Sequence, residues 1–176
     1  MSGALTTAIT APGDSGGGAG RLLILLVEDE PADAHLLRVA LSESQVAAEV
    51  EHVVDGREGL EYLRRQGGRF LLARRPDLIL LDLNMPRMDG REFLAEVRDD
   101  PSLRSIPVVV LSTSAVDRDI LAARRLGAAG YIVKTADVGV FIEEIRRLGE
   151  HWSRVAFLAH NGKRTAEAVD GTETRK

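Results

Sequence analysis

At 176 residues and 19.1 kDa the chain has the length of one domain with appendages. Its 23 basic and 27 acidic side chains leave a net charge of −4, and residues 21–150 alone sum to −5, so the centre lacks the basic face of a nonspecific nucleic-acid binder. Without cysteine there are no disulfides, thiolate metal sites or Cys nucleophiles, and no apolar stretch reaches the roughly 18 residues of a membrane span.

Residues 1–20 are rich in Gly, Ser, Thr and Ala and carry one charge, Asp14. They cannot bury enough apolar surface to offset ordering and are expected to form a disordered arm. No basic region precedes an apolar run there, so the arm is not read as a secretory signal and a cytoplasmic location is expected. Leu22–Val27 is a solid apolar run of strand length, closed by Glu28, Asp29 and Glu30. Residues 32–41 follow Pro31 with the 3.6-residue period, placing Leu36, Leu37, Ala40 and Leu41 on one face. Residues 48–54 read as a second strand, and Asp55 caps a helix that holds Leu60 and Leu63. Residues 77–82 form the third strand, and a helix over 91–98 follows Gly90 with Phe93, Leu94 and Val97 inward. Residues 106–111 are the fourth strand, and Asp117 caps a helix over 118–126 that ends at Gly127. Residues 129–133 are the fifth strand, and Asp137 opens a helix over 138–148.

Five strands alternating with five helices predict an α/β domain over residues 21–150, a doubly wound parallel (βα)5 sheet. The flavodoxin-like strand order 2-1-3-4-5 fits, with its ligand-binding switch point between strands 1 and 3. Polar residues stand where that crevice would open. Glu28 and Asp29 follow strand 1, Asp82 ends strand 3, Ser112 ends strand 4, and Lys134, the one lysine of the domain, follows strand 5. Carboxylates held together repel unless a cation sits between them. An oxygen-only donor set selects a hard ion, Mg2+. Asp29 and Asp82 are expected as direct ligands, Glu28 through water, with the backbone carbonyl of Asn84 completing the set. A carboxylate beside Mg2+ can take a phosphoryl group as an aspartyl phosphate. Lys134 would then supply charge and Ser112 a hydroxyl to the phosphoryl oxygens.

These residues resemble the receiver domain of two-component response regulators over residues 21–149. The features are the acidic pair after strand 1, Asp82 in D-L-N-M-P-R-M-D-G, Ser112 after strand 4, and Tyr131 with Lys134 in G-Y-I-V-K. The resemblance implies that Asp82 accepts phosphate from a phosphohistidine on a sensor histidine kinase. It also implies that Ser112 moves toward the phosphoryl group while Tyr131 turns inward, reshaping the face of helix 4, strand 5 and helix 5. The 66–76 loop (QGGRFLLARRP), L-D-L-N-M-P-R-M-D-G-R-E and I-P-V-V-V-L-S-T-S are similar to regulators paired with bacterial and cyanobacterial phytochromes, which implies a light-sensing kinase. One departure is Lys134-Thr135, where most receivers have Lys-Pro with a cis peptide.

Rival readings are weaker. Dehalogenase-like phosphohydrolases place a second Asp two residues after the nucleophile, where this chain has Asn84. An FMN-binding flavodoxin needs a Ser/Thr/Gly-rich first loop, where this chain has Glu-Asp-Glu-Pro. Met85 and Met88 read as loop packing, and Asp89-Gly90 as a turn with glycine at positive φ. Arg64, Arg65, Arg69, Arg74 and Arg75 suit a solvated loop or an acidic partner. Beyond residue 150 no output domain or helix-turn-helix is recognisable. The apolar face of the last helix continues through Phe141, Ile145, Leu148, Trp152 and Val155, more than one small domain can cover. We read it as a homodimer interface, with folding back onto the same domain as the alternative. Trp152, Phe157 and Leu158 would then be exposed on a monomer, and residues 160–176 would fray.

Overall fold

The computed structural model describes residues 7–8, 21–44, 46–113 and 117–170, with backbone alone for 7–8, 117–119 and 157–170. Five parallel strands, β1 (Leu22–Val27), β2 (Ala48–Val53), β3 (Leu78–Asp82), β4 (Val108–Ser112) and β5 (Gly130–Val133), lie in the order 2-1-3-4-5. The flavodoxin-like fold expected from the sequence is the fold observed. A further two-residue strand, Thr7–Ala8, pairs antiparallel with β2, Thr7 facing Val50. The reading of residues 1–20 as wholly disordered is corrected at these two positions. β2 is an edge strand with open ladder groups, and a short extended segment covers part of that edge. The rest of the arm lies outside the described residues.

Helices α1 (Pro31–Glu43), α2 (Gly56–Leu63), α3 (Gly90–Asp99), α4 (Asp117–Arg125) and α5 (Val138–Asp170) connect and follow the strands. The 66–76 loop contains one turn of helix, Gly67–Phe70. Local chemistry sets the helix starts. Pro31 occupies the first position of α1, where its missing N–H is harmless. Asp55 Oδ1 accepts from the Glu58 N–H at 2.8 Å, Asp89 Oδ1 from Arg91 and Glu92 at 2.7 and 2.9 Å, and Asp137 Oδ1 from Val140 at 3.1 Å. Each such cap contributes about 1 kcal/mol. Gly127 has a φ of +85°, the left-handed conformation expected after α4.

The three central strands, β1, β3 and β4, are buried on both faces, as their solid apolar runs predict, while β2 and β5 are only partly buried. Alternation divides them between two cores. Leu25, Val27, Ile79, Leu81, Val108 and Val110 pack against α2 and α3 through Leu60, Phe93, Leu94 and Val97. Leu22, Ile24, Leu26, Leu78, Leu80, Val109 and Leu111 pack against α1 and α5 through Leu37, Leu41, Phe141 and Ile145. Fully burying each of these Leu, Ile, Val or Phe side chains contributes roughly 1.5–3 kcal/mol.

The second core corrects the reading of the last helix. Phe141 and Ile145 are 4% and 0% exposed, covered by the sheet and α1, so they are not available to a second chain. Leu148 and Trp152 also pack against this core. α5 lies close because Gly149 carries no side chain: a Cβ there would stand 3.2 Å from Val46. Of the five residues assigned to an interface, Val155 alone is exposed, at 39%. Phe157 and Leu158 have side chains outside the described residues. The helix itself runs on to Asp170 rather than fraying from residue 160, and 171–176 lie outside the described residues.

Candidate functional site

Parallel strands deliver their following residues to one end of the sheet. Glu28 continues the β1 ladder, its N–H donating to the Val53 carbonyl at 3.1 Å. Its side chain is buried, and both carboxylate oxygens have donors: Oε1 the Glu30 N–H at 3.1 Å, Oε2 the Lys134 ammonium at 2.6 Å. His52, from β2, donates from Nε2 to the Glu28 carbonyl at 2.8 Å, which fixes the proton on that nitrogen. Burial holds this imidazole below its usual range. Asp82, the last residue of β3, is 5% exposed, and its Oδ2 accepts from the Asn84 N–H at 3.2 Å. Asp29 stands half-buried at the mouth. Carboxylate oxygens of Glu28, Asp29 and Asp82 all lie within 4.8 Å of one another. The convergence expected across the switch point is present, and this acidic cluster fits a divalent metal.

The other two strands flank it. Ser112 is buried at the end of β4, one residue beyond the partner of Asp82 in the register. Its carbonyl accepts from the Lys134 N–H at 2.7 Å, which pins the start of the loop after β5. From there the Lys134 ammonium reaches Asp33 at 2.8 Å and Asp82 Oδ1 at 3.3 Å in addition to Glu28. No cis peptide bond occurs among the described residues, so Lys134–Thr135 is trans and the lysine still arrives at the site. Tyr131 is half-buried, packed on the sheet face that carries α2 and α3.

The electrostatics follow from this packing. Burial pushes the Glu28 carboxyl up, while the Lys134 hydrogen bond and charge pull it back without cancelling the rise. For Lys134 burial acts downward, but hydrogen bonds to Asp33 and Glu28 outweigh it and hold the ammonium above its usual range. Lys134 is therefore a fixed cation among four carboxylates.

Two contributors escape a reading of the sequence. Asp33 looks like a first-turn acid of α1, yet Lys134 bonds to it. Its signal was its place four residues after Asp29, on the same end of the helix. Gly90 was read as a positive-φ turn residue, but its φ is not in that region. It opens α3, and a Cβ there would stand 2.2 Å from the Asp82 carbonyl oxygen. Asp89 is spent on the α3 cap, and Met85 is buried loop packing as expected. Beside the lysine lies a cavity of about 290 Å³ lined by Leu36, Leu37, Leu111, Thr113 and Phe141.

Comparison with known proteins agrees with this geometry. The model of the response regulator receiver domain matches residues 24–146. The response regulator Rcp1 of Synechocystis sp. is 38% identical over 136 residues, covering 77% of this chain and 92% of its own. The crystal structure of the phosphorylated cyanobacterial phytochrome response regulator RcpA aligns with a TM-score of 0.70 and 47% identity, over 76% of this chain and 94% of that one. The Mn2+-bound form of Rcp1 aligns with a TM-score of 0.68 and 38% identity, over 74% and 93% of the two chains. An acidic pocket at the switch point, a lysine held inside it and these alignments place the chain in the response regulator receiver family, among regulators like those of phytochromes.

Proposed function

We propose that this receiver takes a phosphoryl group from a phosphohistidine of a sensor kinase onto Asp82 and passes the signal on through protein contacts. The observation that carries the reading is the buried Asp82 carboxylate at the carboxyl end of β3, 3.3 Å from a fixed ammonium and within an oxygen-rich cluster. An oxygen of Asp82 attacks phosphorus, the P–N bond breaks, and its electron pair returns to the histidine ring. Lys134 offsets the charge gained, and the Ser112 hydroxyl donates to a phosphoryl oxygen.

The donor set fits Mg2+. Asp29 and Asp82 serve as direct ligands with the Asn84 carbonyl beside them, and Glu28, held by the Lys134 ammonium at 2.6 Å and the Glu30 N–H at 3.1 Å, acts through water. Bound there, Mg2+ supplies the positive charge that offsets the carboxylates and the phosphoryl oxygens.

Phosphorylation draws Ser112 toward the new group, and Tyr131 follows inward, which changes the surface of α4, β5 and α5. The likeness to RcpA, a cyanobacterial phytochrome response regulator, supports a light-sensing kinase as donor. Among the described residues no helix is long and apolar enough to cross a membrane. Homodimerisation is retained on narrower ground: Val155 is exposed and the α5 backbone continues to Asp170, past Ala156, which packs on the core. Light scattering on the full chain and on one ending at Ala156 should give a dimer and a monomer; equal monomeric masses would remove the dimer.

Incubation with acetyl phosphate and Mg2+ tests the main reading. Acid-labile, hydroxylamine-labile phosphate should form on the wild type and not on Asp82→Asn, and an unlabelled wild type would overturn it.

A further inference from the structure

The amino end of the sheet, opposite Asp82, carries a second built surface. A groove of about 400 Å³ runs between the end of α2 and the segment before β3, with Tyr62, Leu63, Leu103 and Ile106 as its apolar lining. Its rim is basic: Arg64 and Arg65 stand on one side, Arg74 and Arg75 on the other. Between Glu61 and Asp77 the chain has five arginines and no acidic residue.

Three of those five are compensated. Arg64 pairs with Glu96 at 3.0 Å and with Asp100 at 3.6 Å, Arg69 pairs with Glu58, and Arg74 with Glu49. Arg65 and Arg75 have no carboxylate partner among the described residues. Arg75 is nevertheless held in place, donating to the Ser102 carbonyl at 2.6 Å and to Ser105 Oγ at 2.9 Å. Neutral acceptors fix its position and leave its charge uncancelled.

Arg65 is unusual in another way. Gln66 donates to the Glu61 carbonyl at 2.8 Å and Arg65 to the Tyr62 carbonyl at 3.1 Å, the paired bonds that end a helix with a left-handed residue. Glycine favours that position, yet here it is arginine at φ +54°. A cation thus stands on the rim at a cost in backbone strain. The loop that closes the groove also presents two leucines to water, Leu71 at 63% and Leu72 at 94% exposure. Single exposed leucines are ordinary; two adjacent ones, directly before Ala73 in the lining of an apolar groove whose rim carries two uncompensated arginines, have the make-up of an interaction surface.

We propose that this groove and its leucine lip dock an acidic segment of a partner protein, one that places a bulky apolar side chain on the groove lining and carboxylates against Arg65 and Arg75. Charge complementarity sets the sign of the partner. The concave apolar lining, together with Leu71 and Leu72, asks for apolar side chains, which a small inorganic anion lacks. A concave rim of charge suits a peptide better than a flat lipid surface. The site lies at the other end of β3 from Asp82, so it adds a contact that does not compete for the phosphoacceptor.

Fluorescence anisotropy on the full chain tests this. The probes are fluorescein-labelled short peptides with leucine or phenylalanine between glutamate and aspartate residues, against the same peptides with glutamine and asparagine. Acidic peptides should bind in a salt-sensitive way and neutral ones should not. Arg65→Asn, which tolerates the left-handed backbone, should weaken binding about fivefold. Leu72→Ser should weaken it about tenfold or more. Both variants should keep the wild-type circular dichroism and urea midpoint, because both side chains are exposed. Acidic peptides held no better than neutral ones, or variants that bind like wild type, would overturn the proposal. Retention on phosphatidylglycerol vesicles without peptide binding would overturn it in favour of a membrane.

Discussion

Replacing Gly90 with alanine would press directly on the phosphoacceptor. The added Cβ would lie 2.2 Å from the Asp82 carbonyl oxygen and 2.7 Å from the Leu83 Cα, both backbone atoms. Cβ atoms do not approach heavy atoms below 3.0 Å, so the oxygen contact is at least 0.8 Å too short. Relief requires either the start of α3 or the Asp82–Leu83 peptide to move. The first is tied down by the Gly90 N–H donating to the Leu83 carbonyl at 3.0 Å and by the Asp89 cap. The second is the end of a strand hydrogen-bonded to both neighbours. Overpacking of this kind costs about 1–3 kcal/mol. A displacement near 1 Å at a reacting group slows reaction roughly 100-fold. Gly90→Ala should therefore lower the urea midpoint and slow labelling by acetyl phosphate while circular dichroism shows a folded chain. A variant with the wild-type midpoint and labelling rate would refute the argument that this glycine exists to let α3 approach Asp82.

Mg2+ should stabilise the chain: at free ion tenfold above its dissociation constant the gain is about 1.4 kcal/mol in urea unfolding. Asp29→Ala should lose most of that gain, and a wild type indifferent to Mg2+ would count against the metal site. Burial pushes the Tyr62 phenol up to about 12. Between its ordinary value near pH 10 and that value, the unfolded chain releases the proton while the fold keeps it. Stability should therefore fall by about 2–3 kcal/mol as pH rises through this window. Tyr62→Phe should show a shallower loss, and identical losses in the two proteins would contradict the assignment.

The sheet was legible because its central strands are solid apolar runs of the right length, and because Asp55, Asp137 and Pro31 mark helix starts with chemistry that works locally. The acidic pocket was legible because the topology sends the residues after strands to one end. Contacts made at a distance were not legible. Asp33 reads as an ordinary first-turn acid until Lys134, 101 residues later, is seen to reach it. Gly90 reads as a turn glycine because spacing does not show which backbone atom a helix start will face. The same limit misled the reading of Phe141 and Ile145. Helical period identifies an apolar face, but whether α1 or a second chain covers it depends on how closely Gly149 lets the helix approach.

The claim that everything else rests on is that Asp82 is the residue phosphorylated. Treating the chain with acetyl phosphate and Mg2+, reducing the acyl phosphate with borohydride and mapping the peptides by mass spectrometry tests it directly. Homoserine at position 82, absent without acetyl phosphate, is the predicted result. Homoserine at Asp29, Asp33 or another carboxylate, or none anywhere in a folded, Mg2+-loaded protein, would contradict the account.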